Sequence, residues 1–302
     1  MNSIVVTGAT SMIGTALIEV AVSKGTEVYA IVRPNTLRMD RIVKSYLVHK
    51  VESDLDNLVS VEGLPSNCDA FYHLAWAGTS KVGRDNPEIQ EANIRYTLEA
   101  VNLAEKCGCK KFIGAGSQAE YGPTKGLIDD DTRFAPVTSY GASKLAAGKL
   151  SRKACENKGL IHIWGRIFSV YGPHDNDGTM LSYAIEQFAS NKEARFSAAT
   201  QMWNYLYESD AGMMFYLMGE RVYKDSVFRV ASAKSRPLRE YIQSVAQIMN
   251  AEHLCSYAVS DEQNNMYGIE TCDENLFSEI KYEPKVTFEQ GIKKMIEKRL
   301  SR

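Results

Sequence analysis

Short apolar runs alternate along the chain with longer stretches in which apolar residues recur every three or four positions. The runs have the length of buried strands, and the stretches have the period of helices packed on one face. The pattern predicts strands at residues 3–6, 27–32, 46–51, 69–74, 110–115, 161–167 and 227–231, and helices at residues 15–21, 88–106, 181–190, 209–220 and 238–250. This alternation is typical of an α/β fold.

The first predicted strand is joined to the first helix by Thr7-Gly8-Ala9-Thr10-Ser11-Met12-Ile13-Gly14. A strand, a glycine-bearing turn and a helix in this order aim the helix N-terminal amides at an anion such as pyrophosphate. The strand at residues 27–32 completes a βαβ unit. This unit favours a dinucleotide site over a plain tight turn.

A second stretch, Ser139-Tyr140-Gly141-Ala142-Ser143-Lys144, opens a helix-forming run in the middle of the chain. If the helix includes Tyr140, its phenol and the Lys144 ammonium lie on one helix face. A fixed positive charge stabilises a phenolate and brings the phenol pKa down from about 10 toward the working pH. Tyr140 is therefore a candidate general acid or base.

The Tyr-x-x-x-Lys spacing occurs twice more, at Tyr46 with Lys50 and at Tyr121 with Lys125. A Gly-Pro pair follows Tyr121 and prevents a helix from carrying that pair. The residues after Tyr46 are partly β-branched and alternating, which indicates a strand in which Tyr46 and Lys50 lie out of contact. The helical geometry is thus expected only at Tyr140.

The composition is that of an ordinary globular protein of 302 residues, with 44% hydrophobic and 24% charged residues. The net charge is −2 and the basic residues are scattered, which argues against nucleic acid or a membrane surface as a partner. No apolar run approaches about 18 residues, and the N-terminus has no leader pattern. We therefore expect a soluble cytoplasmic protein.

Two further patterns bear on metal binding and on catalysis. Cys107-Gly108-Cys109 has no second cysteine pair and no nearby histidine, so we interpret it as incidental and expect no metal site. His174 beside Asp175 is an alternative catalytic pair. We disfavour it because it follows a proline on a turn and Tyr140 already supplies an acid–base group.

The turn after the first strand resembles the T-G-x-x-G-x-x-G fingerprint of the extended short-chain dehydrogenase/reductase family, whose epimerase/dehydratase branch modifies nucleotide sugars. Gly8 and Gly14 match its first and last glycines, and Ser11 replaces the middle one. The resemblance implies an α/β fold with a Rossmann-type doubly wound parallel sheet and a smaller C-terminal α/β region. We expect an NAD(P)-binding domain at residues 1–168, and mainly substrate binding at residues 169–302, with some segments returning to the sheet.

Other segments resemble the parts of the family that surround the cofactor. Ser53-Asp54-Leu55 is similar to a G-D-L segment beside the adenine, although Asp54 fits a helix N-cap equally well. His73-Leu74-Ala75-Trp76 is similar to the H-x-A-A/G turn, and we assign His73 no role in proton transfer. The resemblance implies cofactor contacts from Thr7, Gly8, Ser11, Met12, Ile13, Gly14, Arg33, Asp54, Leu55, Leu74, Ala75, Trp76, Asn93, Tyr140, Lys144 and Ile167.

The loop after the second predicted strand bears on the choice of dinucleotide. Enzymes selective for NAD present Asp or Glu to the ribose 2′-hydroxyl. This chain has Arg33 and Arg38 in the loop and no acid before Asp40. We expect NADP, with NAD as the alternative in which both arginines are ordinary solvated loop residues.

Gly116-Ser117-Gln118-Ala119-Glu120-Tyr121-Gly122 follows the fifth strand, at the edge where open α/β sheets bind ligands. It resembles the family's S-S-x-x-V-Y-G segment, with Gly116 in place of the first serine. The resemblance implies that Ser117 holds a substrate oxygen while Tyr140, next to Lys144, gives or takes its proton. These three residues form the predicted catalytic set.

The predicted substrate contacts are Ser117, Gln118, Ser169, Trp203 and Arg236. Ser169 stands where the family commonly has Asn, and Trp203 stands where R-D-F-I-Y has an arginine for the diphosphate. The candidates to replace this arginine are Arg236, Arg229 and Lys234. Asn264-Asn265-Met266-Tyr267 offers no second arginine.

Two differences from family members narrow the expected chemistry. Sugar 4,6-dehydratases carry Asp-Glu directly after the hydroxyl residue, and members that epimerise through an enediolate have Cys at the position of Ala119. This chain has Gln118-Ala119 there, which disfavours both reactions. The reaction that remains is simple hydride transfer at one sugar carbon. We expect NADPH-dependent reduction of a 4-keto-6-deoxy nucleotide sugar, with an NAD-dependent nucleotide-sugar 4-epimerase or a non-catalytic dinucleotide sensor as alternatives. The resemblance also implies a homodimer formed through residues 88–106 and 140–155.

Overall fold

Strands and helices alternate in the first part of the computed structural model, which describes residues 1–124, 126–259 and 268–301, Lys81 through its backbone only. The strands of this part are β1 (Ser3–Thr7), β2 (Glu27–Val32), β3 (Val48–Glu52), β4 (Ala70–His73), β5 (Lys111–Ser117), β6 (Leu127–Ile128), β7 (Ile161–Ile167) and β8 (Ser169–Tyr171). The helices are α1 (Met12–Ser23), α2 (Lys81–Arg84), α3 (Pro87–Lys106) and α4 (Ser139–Lys158).

The second part has shorter strands and more helices. Its strands are β9 (Ala194–Phe196), β10 (Met202–Trp203), β11 (Tyr205–Tyr207), β12 (Ser226–Val230), β13 (Arg236–Pro237), β14 (Cys255–Tyr257) and β15 (Glu270–Thr271). Its helices are α5 (Met180–Ala189), α6 (Glu208–Arg221), α7 (Leu238–Ile248), α8 (Glu274–Ile280) and α9 (Phe288–Leu300). Short 3₁₀ turns lie at Met39–Arg41, Leu55–Ser60, Gln118–Glu120 and Glu252–Leu254.

A seven-stranded sheet with the order β12-β7-β5-β4-β1-β2-β3 forms the centre of the molecule. Every pairing within it is parallel. The chain runs outward from β1 to β3 and then returns to place β4 on the other side of β1. The order reverses between β1 and β4, and such a reversal opens a crevice at the carboxyl ends of these strands. The predicted Rossmann-type sheet is confirmed.

Helices cover both faces of the sheet. Leu17 of α1 and Phe215 of α6 pack on one face, and Val101 of α3 and Cys155 of α4 pack on the other. A separate apolar cluster lies under α5, α7 and α9. β12 and α6 belong to the second part of the chain, but β12 is an edge strand of the central sheet and α6 packs on its face. The division into domains at residue 168 stays a prediction.

The third strand differs from its predicted range at its start. It begins at Val48 rather than at Tyr46, whose side chain is 89% exposed in a turn. The Ser45 hydroxyl accepts a hydrogen bond from the Leu47 amide at 3.2 Å, and the Val48 amide donates to the Ser45 carbonyl at 3.2 Å. These local bonds close a turn and delay the strand. Lys125, of the Tyr121–Lys125 spacing, lies outside the described residues.

Two features of the described residues bear on membrane and metal binding. None of the helices in this part of the chain is long and apolar enough to cross a membrane. Cys107 and Cys109 are buried with Cys68 in the core, with their thiols free. Within the described ranges, no group of three or more His, Cys, Asp or Glu side chains is placed to hold a metal ion.

Candidate active site

The turn between β1 and α1 is built on two close backbone approaches. Gly8 has a φ of +70°, and a Cβ there would lie 2.6 Å from the Ala75 amide nitrogen. A Cβ on Gly14 would lie 2.2 Å from the Gly8 carbonyl oxygen. Ser11 is the N-cap of α1, and its hydroxyl accepts from the Gly14 amide at 3.0 Å. Serine at the middle glycine position thus stabilises the start of the helix.

A cavity of about 390 Å³ lies beside this turn, and we call it the turn cavity. Nine of the predicted cofactor residues line it: Thr7, Gly8, Ser11, Arg33, Asp54, Leu55, Leu74, Ala75 and Trp76. The remaining seven are not among its lining residues: Met12, Ile13, Gly14, Asn93, Tyr140, Lys144 and Ile167. Their contacts with a cofactor stay predictions. Asp54 is the N-cap of a 3₁₀ turn but makes no side-chain capping bond.

The loop after β4 is held in place by buried side chains. Asn93 accepts from the Ala77 amide at 2.8 Å and donates to the carbonyl oxygens of Ala77 at 3.1 Å and Ile89 at 2.8 Å. Its amide group therefore fixes the loop that carries Trp76. His73 is hydrogen-bonded to the Thr7 hydroxyl at 2.9 Å, and burial lowers its pKa to about 3. His73 is thus neutral at ordinary pH, in line with a structural role.

Tyr140 and Ser117 meet at the carboxyl edge of the sheet. Tyr140 lies in the first turn of α4, whose N-cap Thr138 accepts from the Gly141 amide at 3.1 Å. Ser117 is the last residue of β5, and its side chain lies close enough to Tyr140 to oppose the rise in the pKa of the phenol. The fold thus brings the two predicted residues together.

Lys144 lies beneath this pair and is only 3% exposed. Its Nζ donates to the Ala115 carbonyl oxygen at 2.6 Å and lies 3.6 Å from the centroid of the Trp76 ring. Burial lowers the pKa of Lys144 to about 7, with a smaller contribution from Arg84, while the Glu120 carboxylate acts in the opposite direction. The ammonium and the neutral amine are therefore both populated near pH 7.

The expected effect of Lys144 on Tyr140 is wrong for this geometry. The Lys144 Nζ is 5.8 Å from the centroid of the Tyr140 ring. Burial raises the pKa of Tyr140, and the hydrogen bond from Ser117 and the charge of Arg84 only oppose that rise. A phenol removed from water keeps its proton, since the charged phenolate loses solvation.

Two charged residues of the site were missed by the sequence analysis. The guanidinium of Arg84, an exposed residue, lies 4.9 Å from the centroid of the Tyr140 ring and donates from Nε to the Thr79 carbonyl at 3.1 Å. No sequence signal pointed to it. Glu120 is fully buried behind Ser117. The sequence did carry a signal for Glu120, because this chain has a carboxylate where the family segment S-S-x-x-V-Y-G has an apolar valine.

A smaller cavity of about 190 Å³ begins at Gln118, the residue after Ser117, and we call it the serine cavity, although Ser117 and Tyr140 are not among its lining residues. It is lined by Gln118, Ala119, Gly122, Thr124, Ile128, Val137, Thr138, Trp203, Gly268 and Ile269. None of these described lining residues has an ionisable acid or base. The Gln118 Oε1 is buried and has no hydrogen-bond partner within the described part of the chain. Two predicted substrate residues, Gln118 and Trp203, thus lie together.

Comparison with known proteins gives the family. The model of the NAD dependent epimerase/dehydratase family matches residues 4–231. The chain belongs to this family. It is an enzyme of the extended short-chain dehydrogenase/reductase type.

Individual relatives are more distant. ADP-L-glycero-D-manno-heptose-6-epimerase of Nitratidesulfovibrio vulgaris is 26% identical over 278 residues, covering 86% of this chain and 85% of the relative. UDP-N-acetylglucosamine 4-epimerase of Methanobrevibacter ruminantium M1, solved with UDP-N-acetylmuramic acid, has a TM-score of 0.87 and 19% identity, covering 99% and 98% of the two chains. UDP-glucuronic acid 4-epimerase of Bacillus cereus, solved with NAD, has a TM-score of 0.83 and 20% identity, covering 98% and 96%. The solved structures establish the fold of the family member described here.

The residues of this member of the NAD dependent epimerase/dehydratase family fit a dinucleotide. The turn cavity extends from the glycine turn to the loop that carries Arg33 and Arg38, past Asp54 and Leu55. The N-terminus of α1, with its positive dipole end, adjoins the turn. A pyrophosphate at this end and an adenosine toward the arginines match the chemistry of the lining.

Several predicted substrate cations are engaged elsewhere. Arg236 pairs with Glu289 at 3.0 Å. Arg229 is buried and pairs with Asp130 and Asp273. Neither is therefore a free counterpart for a diphosphate.

The other predictions in this region have different outcomes. Lys234 is exposed, and Ser169 is half-buried opposite Tyr205 without lining the serine cavity. Residues 264–267 lie outside the described residues. The disfavoured His174–Asp175 pairing is not formed among the described residues, because the His174 Nδ1 lies 3.3 Å from a Glu208 carboxylate oxygen. Asp175 accepts instead from a threonine hydroxyl at 3.0 Å.

Proposed function

We propose that this enzyme is a nucleotide-sugar 4-epimerase, which oxidises and then reduces one sugar carbon with a single bound dinucleotide. The observation that carries the proposal is that the Ser117 side chain lies beside Tyr140, while the nearby serine cavity has no ionisable acid or base in its described lining. One proton-transfer group suffices for reversible oxidation of an alcohol, whereas elimination of water needs a further acid and base. The 4-epimerases among the similar solved structures support the same reaction.

In this mechanism, Ser117 hydrogen-bonds the oxygen at C4 and Tyr140 exchanges the proton of that oxygen. A bound nicotinamide supplies the hydride acceptor and donor. Arg84, next to the tyrosine ring, stabilises the negative charge that develops on Tyr140 when it takes the proton. The raised pKa of Tyr140 keeps the phenol protonated, which suits the return step in which the ketone oxygen receives a proton.

A ketoreductase is the second candidate, and specific observations favour it. Arg33 and Arg38 both line the turn cavity, where cations would pair with the 2′-phosphate of NADP. The protonated Tyr140 is the form that a one-way reduction requires. In this candidate the substrate is a 4-keto-6-deoxy nucleotide sugar and the cofactor is NADPH.

The decisive experiment combines UDP-, dTDP-, CDP- and GDP-sugars with NAD or NADPH and follows both sugar and cofactor. For the epimerase we expect a C4 epimer, detected by NMR, with no net change in reduced nicotinamide absorbance. Consumption of NADPH with a 4-keto sugar and no epimer formation would establish the reductase instead. Absence of both reactions, despite dinucleotide binding, would overturn both candidates.

We also propose a homodimer formed through α3 and α4, which pack against each other. Each helix leaves an apolar side chain exposed, Ile89 at 39% and Leu150 at 49%. Light scattering should give twice the chain mass, and Leu150→Lys should shift it toward the monomer. A monomer at every concentration would refute the dimer. The cytoplasmic location stays a prediction.

A further inference from the structure

Glu120 is a fully buried carboxylate directly behind Ser117. One carboxylate oxygen accepts from the Ser117 amide at 2.9 Å and from the Trp164 Nε1 at 3.0 Å. The other oxygen accepts from the Arg166 Nε at 2.7 Å. The described structure thus gives this carboxylate a complete set of partners within the sheet.

Two glycines of β5 and one of α4 make the room that this arrangement needs. A Cβ on Gly116 would lie 2.3 Å from the Trp164 Nε1 and 2.6 Å from a Glu120 carboxylate oxygen. Cβ atoms on Gly114 and Gly148 would lie 2.3 Å and 2.8 Å from the same tryptophan ring. The glycine found where the family segment has its first serine therefore has a physical reason. It lets the tryptophan reach the carboxylate.

Stability alone does not account for a carboxylate at this depth. The Glu120 and Arg166 side chains are 1% and 13% exposed. Desolvating both ions costs about as much as their attraction returns, and an apolar pair of similar volume is often equally stable. A buried ion pair next to a catalytic group therefore calls for a role in the site.

One hydrogen bond of Glu120 holds the backbone of Ser117. Glu120 closes a capping box: its carboxylate accepts from the Ser117 amide while the Ser117 hydroxyl accepts from the Ala119 amide at 3.2 Å. The backbone and one acceptor direction of Ser117 are thereby fixed. The hydroxyl so held lies beside Tyr140 and opposes the rise in its pKa.

We propose that Glu120 is a positioning residue of the active site, which holds Ser117 in place and balances the positive charges around Tyr140 and Lys144. This inference rests on the proposed role of Ser117, Tyr140 and Lys144 in hydride transfer. The carboxylate does not touch the substrate. It acts through the serine backbone and through its charge.

The charge balance involves groups from several elements. Arg84 of α2 and Glu120 of the 3₁₀ turn after β5 both act on Tyr140 and Lys144, and neutral His73 of β4 lies near Lys144. Arg166 of β7 pairs with Glu120. Glu120 raises the pKa of Lys144, in opposition to burial and Arg84. Removal of its charge should therefore lower the pKa of Lys144 further.

The test is Glu120→Gln, compared with Trp164→Phe and with Asp210→Asn, which changes an equally buried carboxylate bound to Tyr282 in the second part of the chain. In Glu120→Gln we expect kcat to fall on the order of 10- to 100-fold with dinucleotide affinity retained, because a small misplacement of a catalytic group has effects of this size. Trp164→Phe keeps the charge and should leave the Lys144 titration unchanged. Asp210→Asn should alter stability only.

A second readout is independent of turnover. In protein labelled with ¹³C at the lysine ε-carbons, the signal assigned by its loss in Lys144→Met should titrate near pH 7 in the wild type and at lower pH in Glu120→Gln. The double variant Glu120→Gln with Arg166→Met removes both buried charges. It should remain slow and keep the lower titration midpoint.

Recovery of kcat in the double variant would show that the single variant failed only through an unpaired arginine, and would overturn the proposal. An unchanged Lys144 midpoint in Glu120→Gln would do the same. If no sugar is turned over at all, the proposed function fails, while the lysine titration still tests the role of Glu120.

Discussion

Replacement of Lys144 by methionine is expected to make the protein more stable near neutral pH while removing its activity. Lys144 is 3% exposed, and burial lowers its pKa to about 7 from the ordinary 10.5. The folded-state pKa is therefore below the unfolded one, so the unfolded chain binds more protons between these pH values. The stability contribution of Lys144 rises with pH across that window and is least favourable below pH 7.

The magnitude follows from the difference between the two pKa values. A difference of this size corresponds to about 5 kcal/mol between the charged and neutral side chain. Methionine avoids this cost but loses the hydrogen bond from Nζ to Ala115, leaving a buried carbonyl oxygen, which costs about 1–3 kcal/mol. Lys144→Met should then be more stable by about 2–4 kcal/mol at pH 6.5 or below, and less stable by about 1–3 kcal/mol near pH 11, where lysine is mostly neutral in the unfolded chain as well.

The assay is urea unfolding of both proteins at several pH values, with Lys144→Arg as the control that keeps its charge throughout. Groups away from this site titrate equally in the variants, so the difference in unfolding free energy reports position 144 and the neighbours that its charge affects, such as His73. The two stability curves should cross above pH 7, while Lys144→Arg should become progressively worse than wild type as pH rises. A difference between wild type and Lys144→Met that does not depend on pH would refute the reasoning.

Three further predictions concern the same site. Tyr140→Phe should lower kcat by at least about 100-fold while dinucleotide affinity measured by fluorescence stays nearly constant, because only proton transfer is lost. Gly116→Ala should destabilise the fold by about 1–3 kcal/mol in thermal unfolding, because its Cβ would overlap Trp164, and Trp164→Leu should relieve part of that cost. Replacement of Arg33 and Arg38 by serine should weaken NADPH binding about 10-fold or more and leave NADH binding nearly unchanged, if the two arginines pair with a 2′-phosphate.

Each of these predictions has an opposing outcome. Equal losses of kcat and dinucleotide binding in Tyr140→Phe would make the tyrosine structural. A Gly116→Ala protein as stable as wild type would show that Trp164 does not need the space. Equal losses of NADPH and NADH binding in the arginine variant would remove the support for NADP and, with it, the main support for the reductase.

Much of the architecture was predictable because its signals are local. The glycine turn lies directly between an apolar strand and a periodic helix, and strand β7 (Ile161–Ile167) coincides with its predicted range. Ser117 and Tyr140 belong to different elements, yet both were expected at one sheet edge, since parallel strands share their carboxyl ends. The strand predicted from Tyr46 was wrong at its start, where Ser45 hydrogen bonds close a turn that hydrophobic periodicity does not reveal.

Sequence alone determined the order of the elements, the dinucleotide turn and the residue types available for catalysis, since these depend on neighbours along the chain. Only the tertiary structure decided the protonation and the partners of those residues. The pKa of Lys144 reflects its burial beneath Trp76, and the pairing of His174 with Glu208 joins residues 34 positions apart. Glu120 acquires its place behind Ser117 through contacts with β7. Solvation and long-range Coulomb interactions depend on position in space, and therefore no spacing along the chain encodes them.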